Sequence, residues 1–365
     1  MKILFIAPLP PPIDGQSKAS KIILNRLRKE KHQTEIVCLN KKGSLKNNYL
    51  SLRRIIEILK ILYNVLRKRK NKDLIYVSIA ESFLGNLRDI FIYCICFKYK
   101  QNIILHMLGG AGMRKILSQK GIIFKINRYF IEKFKGVIIE GTANYDIFAK
   151  VISNERIHII PNFAEEFLFS NDDEIKKKYS SLDRIQILYL SNLIPGKGYV
   201  ELVNGFISLD KELSDKFNII FVGGFESEKS KNEFFKNINN YKNIEYLGAF
   251  IDGNRKRELF LKSHIFCLPT YYPYEGQPIS ILEAYATGCV VITTDHSGIP
   301  FIFKDRVNGY KVEPKSSESI KKVLEVILNN KNRLEDIAFF NRNEAFTKYR
   351  TSIFQDSIMK AFTLK

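Results

Sequence analysis

The sequence predicts an α/β protein of two Rossmann-like domains whose parallel sheets face each other across a cleft. Three observations carry this. The chain has 365 residues, long for one ordinary core and comfortable for two α/β domains. Short apolar runs alternate with amphipathic helical patterns through both halves, as expected of parallel strands joined by helical crossovers. A polar, acidic stretch over residues 164–183 separates two such sets and reads as a linker.

In chain order, strands are expected at 2–7, 34–39, 73–79, 102–107, 136–140 and 157–161. The second set falls at 186–191, 218–223, 244–247, 265–269, 290–294 and 309–312. Helical patterns such as 17–29, 201–208 and 279–287 lie between them. The expected domains are residues 1–165 and 185–343, joined by a linker at 166–184. A last helix within 344–365 is expected to return to the first domain.

Met1 to Pro8 reads directly as a strand rather than a signal segment, and the longest apolar run, 90–97, is too short to cross a bilayer. A cytoplasmic or peripheral protein is expected. The five cysteines (Cys38, Cys94, Cys96, Cys267 and Cys289) have no metal-binding spacing. They suit a reducing compartment, mostly as core thiols.

The formal charge is +20 and uneven. Residues 1–170 hold 30 Lys and Arg against 13 Asp and Glu, whereas 171–365 hold 28 against 25. Such a field attracts anionic lipid, nucleic acid or phosphorylated substrates. No recognised nucleic-acid motif accompanies it. Residues 51–70 form a basic amphipathic pattern, with Glu57, Lys60, Asn64 and Arg67 on one side and Ile55, Ile58, Leu59, Leu62 and Leu66 on the other. Two readings are open. It is a crossover helix with a solvated outer face, or it meets anionic headgroups through Arg67, Lys68, Arg69 and Lys70.

Open α/β sheets bind ligands beyond the carboxyl ends of their strands. Four places there combine glycine with polar chemistry. After the first strand, Gly15 precedes Ser17, a candidate N-cap, and would let a phosphate approach a helix start. An ordinary Pro/Gly loop is the other reading. His106 precedes Gly109 and Gly110, either as a ligand contact or as a structural histidine. Lys197, between Gly196 and Gly198 at a helix entry, is placed to neutralise a diphosphate or is simply solvated. The last place is the run Glu275-Gly276-Gln277-Pro278-Ile279-Ser280-Ile281-Leu282-Glu283-Ala284. Pro278 suits a first helical turn, which puts Glu275 before the helix and Glu283 within its apolar body. Eight helical residues rise about 12 Å, the reach from a donor's sugar across its diphosphate to its ribose.

On those residues, positions 272–314 resemble the donor-binding half of family-four retaining glycosyltransferases with the two-Rossmann (GT-B) fold. The resemblance continues through Ala286-Thr287-Gly288, Ser297-Gly298-Ile299-Pro300 and Asn308-Gly309. It reaches the first domain at Gly15, His106–Gly110 and Ile160-Pro161-Asn162. It implies that Glu275 contacts the transferred sugar, with His106 nearby, and that Lys197 and amides near Gly15 bind the diphosphate. Glu283 would bind the ribose. The donor set would include Asn192, Gly276, Gln277 and Ile279, with Gly248 and Phe250 in the loop that meets the base. The chain departs from the family at Asn192, where an arginine is usual, at Phe301, where a glutamate is common, and at the single Gly15.

The implied reaction moves a sugar from a nucleoside diphosphate to a saccharide or lipid-linked acceptor, with retention and in bacterial surface-polysaccharide assembly. The first domain would bind the acceptor and an anionic inner-leaflet surface. No Asp-x-Asp motif is present, so no metal and no cofactor are expected. The donor is expected to be a UDP-sugar before a GDP-sugar. A nucleotide-sugar epimerase on the same fold is the alternative, followed by a basic nucleic-acid-binding protein.

Overall fold

The computed structural model describes residues 1–40, 52–118 and 121–364. It divides into two compact units, Met1–Pro161 with Ser352–Lys365, and Asn162–Thr351.

Unit 1 holds strands β1 (Lys2–Ala7), β2 (Gln33–Cys38), β3 (Leu74–Ser78), β4 (Ile103–Met107), β5 (Gly136–Ile139) and β6 (Ile157–Ile159). Its helices are α1 (Gly15–Lys29), α2 (Leu52–Lys68), α3 (Phe83–Cys96), α4 (Ala111–Ser118), α5 (Ile122–Ile131) and α6 (Tyr145–Ala149). The strands pair in parallel in the order β2-β1-β3-β4-β5-β6. Every residue of β3, β4 and β5 is buried. Helices on both faces of a parallel sheet make its strands continuous apolar runs rather than alternating ones, which is why they stand out in the sequence.

Unit 2 repeats the plan. Its strands are β7 (Ile185–Leu190), β8 (Phe217–Val222), β9 (Ile244–Tyr246), β10 (Ile265–Leu268), β11 (Val290–Thr294) and β12 (Gly309–Val312). They pair in parallel in the order β12-β11-β10-β7-β8-β9. Helices α7 (Asp172–Tyr179), α8 (Tyr199–Ile207), α9 (Lys211–Ser214), α10 (Glu228–Ile238), α11 (Gly253–Lys262), α12 (Ile279–Ala286), α13 (Ser317–Asn329) and α14 (Leu334–Lys348) follow in turn. A last helix, α15 (Thr351–Thr363), lies almost wholly in the part of the chain that belongs to unit 1. There Phe362 packs edge-on against Tyr76, Gln355 Nε2 donates to Ile22 O at 3.1 Å, and Arg26 pairs with Asp356.

The stretch expected as a linker is folded into unit 2. Asn171 and Glu174 form a capping box at the start of α7, and Asp172 and Asp173 occupy its first turn. Acidic residues belong at that end, where the helix dipole is positive. Ile175 and Tyr179, one turn apart, reach the core, and the Tyr179 hydroxyl donates to His264 O at 2.7 Å. The acidity that suggested a linker is therefore helix-entry chemistry. Unit 2 begins at Asn162 rather than near residue 185.

The division sharpens the charge asymmetry. Unit 1 carries 32 Lys and Arg against 12 Asp and Glu, and unit 2 carries 26 against 26. The whole +20 thus belongs to unit 1. No described helix is long and apolar enough to cross a membrane.

Candidate functional site

In unit 2 the direction of strand addition reverses between β7 and β10. Doubly wound sheets bind ligands at that reversal, beyond the carboxyl ends of the flanking strands. The loops leaving β7 and β10 carry Lys197 and Glu275. Lys197 Nζ donates to Glu275 Oε2 at 2.7 Å, and Thr270 Oγ1 donates to the same oxygen at 2.9 Å. Oε1 of Glu275 has no hydrogen-bond partner among the described residues. One carboxylate oxygen is held by two donors while the other remains available.

Close approach of the two loops depends on Gly198. Its φ is +79°, and a Cβ there would lie 2.2 Å from Pro269 O. The β10 loop is also fixed from below. Ser297 Oγ donates to Glu275 O, Gly298 N donates to Gly276 O at 3.3 Å, and His296 Nε2 lies 2.8 Å from Tyr272 O. The Tyr272 ring sits 5.0 Å from the Lys197 ammonium, adding a cation–π contact.

The remaining unit 2 candidates surround this pair. Asn192 is exposed, and its carbonyl shares the Tyr189 hydroxyl with that of Lys197, at 3.2 and 3.3 Å. Gly276 and Ile279 are half-buried at the entry to α12. Pro278 is the N-cap of α12 rather than part of its first turn, and it supplies no side-chain cap. Gln277 is engaged elsewhere: its Oε1 accepts from Asn162 N, and its carbonyl accepts from Asn162 Nδ2 at 2.9 Å. Gly248, with φ of +114° and open space around it, accepts from Gly223 N at 3.0 Å, which ties the β9 loop to the β8 loop. Phe250 stands 58% exposed two residues on. Glu283 is buried within α12, where its Oε1 accepts from Lys256 Nζ at 2.6 Å.

In unit 1, His106 is completely buried on β4. Its Nδ1 lies 2.7 Å from the Tyr76 hydroxyl, and its Nε2 has no partner among the described residues. Burial holds its pKa down to about 3, so the ring is neutral near pH 7. The N-cap of α1 is Asp14, not Ser17. Asp14 Oδ1 accepts from Ser17 N at 2.7 Å and Ser17 Oγ accepts from Asp14 N at 3.0 Å, which leaves Gly15 as the first helical residue. Glu81, unnoticed in the sequence, accepts from Gly112 N at 2.7 Å at the start of α4, and burial raises its carboxyl pKa. Of the basic cluster, Arg67 and Lys70 are exposed, whereas Lys68 Nζ donates to Ile36 O at 2.9 Å and Arg69 to Ile95 O. Ser51 lies outside the described residues.

Residues 171–344 match the family model of the glycosyl transferases group 1. Unit 2 is a group 1 glycosyltransferase domain. An uncharacterised glycosyltransferase of Methanocaldococcus jannaschii is 24% identical over 71% of this chain and 67% of its own length. N,N'-diacetylbacillosaminyl-diphospho-undecaprenol alpha-1,3-N-acetylgalactosaminyltransferase of Campylobacter jejuni is 26% identical over 52% of this chain, which spans about half (50%) of that protein. Anabaena HepE, solved in complex with UDP, superposes over 100% of both chains with a TM-score of 0.73 and 16% identity. WaaG, a glycosyltransferase involved in lipopolysaccharide biosynthesis, covers 98% of both chains with a TM-score of 0.70 and 14% identity. These likenesses establish the two-Rossmann GT-B fold of this chain. Sequence reading named Lys197 and Glu275, which the fold brings together, and did not name their neighbour Thr270 or Lys256, the partner of Glu283. Thr270 sits in the same strand-end loop as Glu275 and was readable as a polar residue there. Lys256 is 27 positions from Glu283 and gave no local signal.

Proposed function

We propose that this chain is a retaining glycosyltransferase that moves a sugar from a nucleoside diphosphate to a saccharide or lipid-linked acceptor. The observation that carries this reading is the Lys197–Glu275–Thr270 cluster at the strand-order reversal of the group 1 domain. Departure of the diphosphate leaves negative charge on its oxygens and positive character at the anomeric carbon. Lys197 and the uncapped amides at the start of α12 answer the first. The free Oε1 of Glu275 answers the second, with Thr270 keeping Oε2 anchored after Lys197 turns to the diphosphate. Lys197 exchanges its pairing with Glu275 for the diphosphate as the donor enters. The acceptor hydroxyl attacks the face that the leaving group vacates and passes its proton to the departing phosphate oxygen, so configuration is retained and Glu275 positions and stabilises without a covalent bond. These groups supply the charge stabilisation without a metal, and no cofactor is used.

A uridine donor is supported by HepE, solved with UDP and with UDP-glucose. A lipid-linked acceptor in bacterial surface-polysaccharide assembly is supported by the undecaprenol-linked substrates in the names of two Campylobacter relatives. A Bacillus subtilis relative described as a putative teichuronic acid biosynthesis glycosyltransferase supports the same context. The +20 of unit 1 supports a cytoplasmic protein held at the anionic inner face of the membrane.

A thermal-shift panel of nucleoside diphosphates and their sugars, run with chelator, tests the donor site. A ligand at 100 times its dissociation constant stabilises the fold by about 2.7 kcal/mol. Silence across the panel would remove the donor site. An inverted anomer in the purified product would overturn retention while leaving transfer intact.

A further inference from the structure

Helix α2 packs Ile61, Leu62 and Val65 against the core of its unit and still leaves a second apolar face exposed. Six of its apolar residues are exposed: Leu52 (80%), Ile55, Ile56, Leu59 (58%), Tyr63 (62%) and Leu66. Their spacing of three, four and seven residues puts them on one continuous face. Only Val65 of this helix is buried. The neighbouring α3 repeats the arrangement on a smaller scale, with Phe83, Leu87 and Phe91 exposed one turn apart. Exposed Arg53, Lys60, Arg67 and Lys70 accompany the α2 face. The helix has a single carboxylate, Glu57, half-buried and 3.7 Å from Arg53.

We propose that the exposed apolar face of α2 inserts into an anionic bilayer surface, with Arg53, Lys60, Arg67 and Lys70 on the headgroups. This rests on the peripheral-membrane part of the reading above and relocates its contact. Lys68 and Arg69 are spent on backbone carbonyls of unit 1, so they hold the helix to its own unit instead of gripping lipid. A helix with an apolar stripe and a cationic flank lies in the interface plane with its apolar face about 5–10 Å deep. Charge selects the occupant. All the excess positive charge of the chain belongs to this unit, and an anionic surface is complementary to it. A neutral protein surface would match the stripe but not its flank.

The chain contains no tryptophan, so one introduced indole reports its surroundings alone. Leu59→Trp in the full chain is mixed with vesicles of phosphatidylcholine containing phosphatidylglycerol, and with phosphatidylcholine alone. The expected result is a blue shift and quenching by brominated acyl chains on the anionic vesicles only. The indole of Phe340→Trp, in unit 2, should not respond. Arg53→Gln, Lys60→Gln and Arg67→Gln together should lower partitioning about a hundredfold, at roughly fivefold per cation. Sedimentation of Leu59→Trp with vesicles without a blue shift would place the contact elsewhere and overturn the proposal. So would an indole already shifted without lipid, with or without self-association in the ultracentrifuge, because the stripe would then have another cover. Absence of binding to anionic vesicles would overturn it as well. The assay contains no donor or acceptor, so its failure leaves the transferase reading standing, and a silent nucleotide panel leaves this one standing.

Discussion

Lys256 Nζ lies 2.6 Å from Glu283 Oε1, and both side chains are buried. The second glutamate of the seven-residue spacing is therefore half of an internal ion pair before any ligand arrives. Breaking one partner of such a pair costs about 3–5 kcal/mol, whereas replacing both by apolar groups is often neutral.

Glu283→Gln should accordingly lower the unfolding free energy by about 3 kcal/mol in urea titrations. Lys256→Met combined with Glu283→Gln should regain most of that loss. If Glu283 also holds the ribose, this stable double variant will raise the donor's Michaelis constant and leave turnover nearly unchanged. A stable double variant with unaltered donor affinity would make the glutamate purely structural.

Glu275 should behave differently. Glu275→Gln should lower turnover a hundredfold or more, about 3 kcal/mol of transition-state stabilisation, while nucleotide binding persists. Thr270→Val removes one of the two donors to Oε2 and should cost about tenfold in turnover, or ~1.4 kcal/mol. Thr270→Ser, which keeps the hydroxyl, should restore it. Steady-state kinetics beside direct nucleotide titration separates these outcomes.

Gly198→Ala should destabilise unit 2 by about 2–4 kcal/mol, the sum of a left-handed backbone penalty and overpacking against Pro269 O. Gly121→Ala, where an added Cβ meets nothing within 4 Å, should change stability little. Chemical denaturation of the two variants makes the comparison.

Burial holds the pKa of His106 down to about 3 and that of His264 to about 4. Their unfolded values sit near 6.5. Between these limits the unfolded chain binds protons that the folded chain refuses, so stability is full above pH 6.5 and falls as pH drops. Each group contributes a slope of about 1.4 kcal/mol per pH unit across its window. Denaturation at pH 7, 6, 5 and 4 should show the decline, and His106→Gln should flatten it.

The strands were legible because parallel sheets covered on both faces concentrate apolar residues into short unbroken runs, as in β3, β10 and β11. The strand-end loops were legible for a related reason. Gly198 and Lys197 break such a run with residue types that a close turn and an anion require. What escaped was non-local. The partnership of Lys256 with Glu283 depends on how α11 packs beside α12, which no local spacing encodes. The acidic start of α7 has the composition of a linker and the physics of a helix N-terminus. Only the positions of Ile175 and Tyr179, one turn apart, distinguish the two. On α2 the amphipathic pattern was visible, but which face turned inward was not.

Unit 2 is one contiguous segment set into unit 1, and its two ends are tied together. Ala164 bridges Arg350, Ala164 N donates to Tyr349 O at 2.7 Å, and Thr351 Oγ1 returns a bond to Ala164 O at 3.0 Å. During synthesis the ribosome releases the sheet of unit 1 first, yet the helix that covers Tyr76, with Phe354, Ile358 and Phe362 on its buried side, emerges only after the whole of unit 2. The later-made unit has all its residues in hand while the earlier one still awaits its final turns. Vectorial translation therefore reverses the order of completion: unit 2 can close as an independent insert before the segment that completes unit 1 has emerged.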